Sequence, residues 1–470
     1  MKTIIGLEIH CQLDTDTKLF CGCSTDYRSD PPNTHTCPIC LGLPGSMPRL
    51  NIKAVKYALR VAKALNLKVN EYCEFSRKNY FYPDLPKGYQ ITQYDKPIAE
   101  WGHLMIEGDD GVERKIRITR IHIEEDPGRL VHKTGRDRAG YSLVDYNRSS
   151  IPLIEIVTEP DLRSPKEARR FLNKLRATLE YLQVFDGEKE GSIRVDANIS
   201  MEGHNRVECK NISSYKGVEK ALTFELTRQR NLIRRGVEIT RETRHFMEAR
   251  GITTSSRSKE EENDYRYFPE PDLEPLRIAG WVDEVSLPEL PDARRERFIE
   301  QYGISLNHAR TLTGDIRLAN FYEAVAAVSD PVLSATWVAD TLLGELNYRG
   351  MGITVVQPQI LSEIITLLKE DRITDKSAVE VMRAILDGIV EGRDFESPSA
   401  FVERLGLVKE SGSDLLAIVS GVATANPVAV ADYHAGKKGA LNFLMGQVMK
   451  ETRGRADPKQ INEKLRELLG

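Results

Sequence analysis

The first dozen residues alternate. Leu7, Ile9, Cys11 and Leu13 are apolar, and Glu8, His10 and Gln12 between them are polar, the period-two pattern of a strand with one buried face. Glu8 and His10 then project side by side from the other face, a carboxylate and an imidazole about 7 Å apart along the strand. Such a pair suits a divalent cation, although a solvated strand face carries the same residues. From Asn51 to Leu67 the period lengthens: Val55, Ala58, Leu59, Ala62 and Leu65 recur at helical spacing. Ser164-Pro165-Lys166-Glu167 reads as a capping box with proline at the first helical position, and Ala168, Phe171, Leu172, Leu175, Leu179 and Leu182 trace the buried stripe that follows. Ile193, Val195, Ala197 and Ile199 then alternate with Arg194, Asp196, Asn198 and Ser200, a second amphipathic strand that offers Asp196 and Asn198 from one face.

Between these elements the pattern carries charge where a strand would bury it. In residues 115–126 (KIRITRIHIEED) Ile116 and Ile118 share one parity and Ile121 and Ile123 the other, so either both faces are buried or a bulge re-aims the strand end. That end holds Glu124, Glu125 and Asp126, which repel one another unless something positive sits among them. Leu143-Val144-Asp145-Tyr146-Asn147-Arg148 and Leu153-Ile154-Glu155-Ile156-Val157 likewise set a carboxylate inside an apolar run, and Val207-Glu208-Cys209-Lys210-Asn211 follows the turn at Gly203. The first ~290 residues therefore read as a mixed α+β domain whose strands repeatedly present Glu, Asp, Asn and His. Beyond Leu287-Pro288-Glu289-Leu290-Pro291 the pattern is helical, with a last unit beginning near Ser411.

Cysteine usage adds a metal. Four of the seven cysteines lie in Cys21-Gly22-Cys23 and Cys37-Pro38-Ile39-Cys40, two tight loops that together supply the tetrahedral S4 set of structural zinc; reduced buried thiols are the alternative. Composition is that of an ordinary globular chain, 40% hydrophobic and 29% charged with a net charge of -4. Nucleic acid would have to be met by local patches. Residues 426–470 carry eight Lys/Arg against five Asp/Glu, an excess that a solvated surface explains as well as a phosphate backbone does. The aromatics, bases and amides between Arg77 and Asp95 would stack on a nucleobase, line a channel, or pack on the sheet. No apolar run reaches the ~20 residues of a membrane span, and the N-terminus lacks the apolar region of a signal peptide, so a cytoplasmic location is expected. Neither a G-x-x-x-x-G-K-[ST] loop nor a G-x-G-x-x-G after a strand occurs, so a bound nucleotide would be held through metal and carboxylates.

Taken together, GLEIH at 6–10, RKNYFYPDLPKGYQI at 77–91, HIEED at 122–126, PLIEIVTEPD at 152–161, RVDANIS at 194–200, DYRYFPEPD at 264–272 and GKKGALNFLMGQVMK at 436–450 resemble the B subunits of the tRNA-dependent amidotransferases. The resemblance runs essentially the whole chain. It implies a cradle-shaped, mixed-sheet kinase and transamidase domain (1–290, here with the zinc-binding loop), an all-helical domain (291–408) and a small tail domain that touches tRNA (409–470). It implies ATP-dependent conversion of Glu-tRNA(Gln) to Gln-tRNA(Gln), or Asp-tRNA(Asn) to Asn-tRNA(Asn), with ammonia from an amidase A subunit and a C subunit clamping A to B. Glu8, His10, Glu124, Glu125 and Glu155 are then the candidate catalytic residues. Glu8, His10 and Glu125 are candidate Mg2+ ligands, and Asp196, Asn198, Lys210 and Arg148 candidate contacts to ATP. The zinc ligands Cys21, Cys23, Cys37 and Cys40 rest on the residues themselves. Pro127 after HIEED departs from the small residue expected there and puts the local loop geometry in question. A zinc-stapled RNA-binding scaffold without catalysis is the alternative function; its difficulty is that carboxylate-rich strand faces repel phosphate.

Overall fold

The computed structural model describes all residues except 133–140, 190, 257–264, 394–395, 410–411, 438 and 453. Asp264, Ser411 and Lys438 of the stretches above lie outside the described residues. The chain forms two compact units, Met1–Pro291 and Asp292–Gly470.

The first unit is built on a nine-stranded sheet: β1 (Thr3–Gln12), β2 (Lys68–Val69), β3 (Ala99–Glu107), β4 (Glu113–Glu125), β5 (Pro152–Thr158), β6 (Ile193–Met201), β7 (Val207–Ile212), β8 (Glu242–Met247) and β9 (Ile252–Ser255). Their spatial order is β9-β8-β7-β6-β1-β5-β4-β3-β2. The N-terminal strand is central, paired antiparallel with β5 and β6. Among the described residues only β7 and β8 pair in parallel, and the helix between them makes the crossover a parallel pair requires.

Helices α1 (Ile52–Ala64), α2 (Pro165–Tyr181) and α3 (Tyr215–Arg234) pack on the sheet. Asn51, Ser164 and Ser214 cap them, each accepting a backbone N–H of the first turn. At α2, Glu167 completes the box one residue further back than the pattern implies, accepting from Arg163 N at 2.8 Å. The apolar parity of the strands (Leu7, Ile9, Ile123, Ile154, Val195) and the helix stripes (Ala58, Leu59, Leu175, Leu179, Val218, Leu222) share one buried core. Burying them on one side leaves Glu8, His10 and their neighbours on the other.

The phase change in residues 115–126 is a bulge. Val157 pairs with Arg120 but Thr158 with Ile118, leaving Thr119 as the extra residue on β4. The switch puts Ile116, Ile118, Ile121 and Ile123 all in the core, and it aims His122 and Glu124 at the polar face. A three-stranded sheet of Ser76–Asn79, Tyr89–Thr92 and Phe268–Pro269 lies at the end of β4, where Thr92 Oγ1 donates to Glu124 (3.3 Å) and Gln90 Nε2 to the Glu125 carbonyl (2.8 Å).

The second unit is helical among the described residues, from Pro291–Tyr302 to Pro458–Leu469. Its last four helices enclose a core of their own that includes Leu415, Val419, Leu444, Val448, Ile461 and Leu465. Among the described residues no single helix is long and apolar enough to cross a membrane.

Candidate active site and metal centres

Strand register assembles the site. On β1, His10 stands opposite Glu155 of β5 and Arg194 of β6, and Glu8 opposite Asp196 of β6. Glu155 in turn stands opposite His122 of β4, and Leu153 opposite Glu124. Asn198 faces Glu208 of β7. Five adjacent strands thus contribute ionisable or amide side chains to one face.

They gather into two clusters. In the first, His10 Nε2 lies 3.4 Å from Glu155 and 3.5 Å from Glu124. His122 Nε2 approaches the same two carboxylates, at 3.1 Å and 3.7 Å. Burial alone would lower both imidazole pKa values, but the Glu155 and Glu124 charges outweigh it, carrying His10 up to about 9 and raising His122. Burial likewise would raise Glu155, but the two imidazoles hold it well below the usual carboxylate range. In the second cluster Glu8, Asp196 and Glu208 converge. Lys210 Nζ lies 2.6 Å from Asp196 and 3.5 Å from Glu208, Asn198 Nδ2 donates to Glu8 at 3.0 Å, and Thr243 Oγ1 donates to Glu208 at 3.0 Å. Glu8 is raised, first by burial and then by Glu155 and Glu208. In each trio one donor atom per residue lies within 4.8 Å of the others, a spacing that fits a hard cation ligated by oxygen and imidazole nitrogen.

Of the candidates from sequence, Glu8, His10, Glu124, Glu155, Asp196, Asn198 and Lys210 share this face. Two do not join it. Glu125 follows Glu124 along β4 and so points the other way: it accepts from Lys87 Nζ, Ile91 N (2.8 Å) and Ser150 Oγ (2.9 Å). The structure does not bring it to Glu8 and His10 as a third Mg2+ ligand. Arg148 donates to the carbonyls of Pro127 (3.0 Å) and Gly128 (2.6 Å) and lies 3.7 Å from Asp126, so it braces the proline-containing loop. Asp126 also accepts from Arg194 and from Gln12 (3.1 Å). Sequence reading missed His122 and Glu208 as site members. Each sits two residues from a chosen one, Glu124 and Lys210, so the alternation that selects those residues carries the signal.

The cysteine loops close on themselves. The Sγ atoms of Cys21, Cys23, Cys37 and Cys40 lie within 4.8 Å of one another, and Cys37 and Cys40 are 3.8 Å apart, close to the edge of a tetrahedron with ~2.3 Å Zn–S bonds. Cys37 N donates to Cys40 Sγ at 3.1 Å, and buried Lys18 reaches it at 3.8 Å. None of the seven cysteines is in a disulfide.

A carboxylate-and-imidazole face on a mixed sheet, with donor trios close enough together to hold a cation, marks the first unit as a candidate catalytic domain alongside a helical unit. Residues 3–283 match the model of the GatB/GatE catalytic domain, and residues 319–469 that of the GatB domain. The chain is 68% identical over 469 residues to the B subunit of the aspartyl/glutamyl-tRNA(Asn/Gln) amidotransferase of Methanospirillum hungatei, covering 100% of this chain and 98% of that one. It is 67% identical over 464 residues to the same protein of Methanoregula boonei (98% and 96% covered) and 54% over 490 residues to that of Methanosarcina mazei (99% and 98%). The chain belongs to the family of amidotransferase B subunits.

Proposed function

We propose that this chain activates and amidates the side-chain carboxylate of misacylated tRNA, Glu-tRNA(Gln) or Asp-tRNA(Asn), at the polar face of β1. The observation that carries the site is the pair of cation-sized donor clusters hung on neighbouring positions of one strand, His10 with Glu124 and Glu155, and Glu8 with Asp196 and Glu208. A carboxylate does not exchange oxygen for ammonia directly, because the oxygen leaves poorly. An acyl oxygen first bonds to the γ-phosphorus of ATP as ADP departs; ammonia nitrogen then bonds to the acyl carbon as phosphate departs. Bound Mg2+ spreads the phosphate charge in such a transfer. Glu8, His10, Glu124 and Glu155 are the residues that would hold it. Lys210, paired to Asp196 and Glu208, offers a cation beside the phosphates.

The remaining assignments rest on the family and on chemistry. Cys21, Cys23, Cys37 and Cys40 hold a structural zinc, supported by their spacing. Residues 409–470 form the tRNA-contacting tail, residues 291–408 a separate helical domain, and an amidase A subunit and a C subunit complete the enzyme. Seven cysteines outside any disulfide, four of them as zinc ligands, suit the reducing cytoplasm. The scaffold alternative finds no support, since the carboxylate face has no use in it.

The test is reconstitution with A and C subunits, Mg2+ and glutamine. Labelled Glu-tRNA(Gln) and Asp-tRNA(Asn) are supplied separately, with and without ATP, and the amino acid released from each is identified. ATP-dependent glutamine or asparagine is expected. No amide from either, with tRNA bound and glutaminase active, would overturn the reading.

A further inference from the structure

A lysine normally keeps its charged end in water, and Lys18 does not: it is fully buried (0% exposed), beside Leu19 and Phe20 of the core. Its backbone N–H donates to the Cys23 carbonyl at 3.0 Å, which sets the residue against the first cysteine pair. Its ammonium makes three contacts, with the His35 carbonyl at 2.8 Å, the Tyr146 carbonyl at 3.3 Å and Cys40 Sγ at 3.8 Å. Among the described residues no carboxylate pairs with it. Lys87 and Lys409 are buried too, yet Lys87 meets Glu125, and Lys409 meets Asp371 and Asp457. A buried ammonium held by carbonyls alone would carry an uncompensated charge, which is strongly destabilising. Of the three contacts, only the Cys40 sulfur can be an anion.

We propose that Lys18 is the buried counter-ion of the four-cysteine centre, a positioning residue that tightens zinc binding by offsetting the charge of the thiolates; the inference rests on the zinc reading above and names the residue that makes such a centre tolerable in the interior. Zinc held by four thiolates keeps an excess of two negative charges. Cys21 and Cys40 are buried, so that excess sits where charge is costly unless matched. An ammonium at Cys40 offsets half of it. The Cys37 N–H reaches the same sulfur at 3.1 Å, and two donors on one sulfur suit a thiolate better than a thiol. His35 lies between the two cysteine pairs and Tyr146 just after the strand Ser142–Asp145. Carbonyls from two separate segments therefore hold the ammonium in place, and outer partners of this kind orient and tune metal ligands.

Full-length wild-type chain, Lys18→Met and Lys18→Gln are loaded with Zn2+ and titrated with a competing chelator that changes colour on binding it. The same chains loaded with Co2+ give the sulfur-to-metal charge-transfer band. Methionine fills the space without charge. Glutamine keeps an N–H donor for the carbonyls and loses only the charge, so it carries the test if the methionine variant does not fold. Both variants should hold zinc ~10- to 100-fold more weakly, the scale of a lost outer partner. The cobalt band should move to lower energy, because a sulfur without its neighbouring cation gives up electron density more easily. A folded variant with wild-type zinc affinity and an unmoved band overturns the proposal, even if it melts lower, since lost packing alone would do that much. A wild-type chain that takes up no zinc overturns the zinc reading and this inference with it. Zinc bound by the wild type and indifferent to Lys18 overturns this inference alone.

Discussion

His10 touches two carboxylates through one nitrogen, Nε2, at 3.4 Å and 3.5 Å, while His122 holds the same pair from the other side. Replacing His10 therefore removes a donor from the cluster without exposing the core, because Leu7 and Ile9 face the other way. His10→Ala is expected to cut ATP-dependent amide formation by about 10²–10⁴-fold, the scale of a lost catalytic group, with tRNA binding nearly intact. Single-turnover amidation and a filter-binding assay on the same preparation check both halves; wild-type amidation would remove the cluster from the mechanism. Glu125 makes the contrasting case. It is buried against Lys87, which is buried too, and breaking such a pair strands the remaining charge at a cost of about 3–5 kcal/mol. Glu125→Ala should therefore lower the denaturant midpoint of the first unit, and whatever activity survives should keep the wild-type Mg2+ requirement. A stable variant with a raised Mg2+ requirement would restore Glu125 to the metal site.

Elements decide what a sequence can disclose about such a site. Period-two alternation fixes which residues share a face, so Glu8 and His10, and Asp196 and Asn198, are legible as pairs in the residue pattern alone. Alternation says nothing about which strands become neighbours. The order β6-β1-β5-β4 joins residues more than a hundred positions apart, and it is this order that seats Glu155 between His10 and His122. Glu125 is misplaced by the pattern for a related reason: a run of three acids at a strand end does not say which members face the site, and the Thr119 bulge resets the count. Arg148 reads as the end of a strand, but the strand stops at Asp145 and a turn carries Arg148 to the Pro127 loop. The cysteine loops are the most readable element, since ligand spacing is local. One zinc per chain is expected from metal analysis. Cys40→Ser should lose it and open the loop between Cys23 and Cys37 to limited proteolysis; full protection without zinc would show the loop to be held by Lys18 and packing alone.

At the scale of the whole chain, the first unit carries the carboxylate face, while in the second the basic excess lies at its end, eight Lys/Arg against five Asp/Glu over residues 426–470. A net charge of -4 spread over 470 residues gives no long-range pull on RNA, so attraction must come from local cations. In the last helices Lys450, Lys459 and Arg466 are exposed. Lys409 is a poor choice for testing them, because it is buried and bonded to Asp371 and Asp457, and removing it would disturb the fold rather than the surface. The triple variant Lys450→Ala, Lys459→Ala and Arg466→Ala keeps the core intact and removes only surface charge. If these side chains meet phosphates, each releases about one counterion, and the slope of log affinity against log salt should become shallower by up to about three. Binding should weaken about equally for Glu-tRNA(Gln) and Asp-tRNA(Asn), since backbone contacts carry no sequence information, and the KM for ATP should not change. A mobility-shift series from low to physiological salt reads the slope directly. An unchanged slope would place the tRNA contact elsewhere on the chain and leave the tail's basic excess as solvated surface.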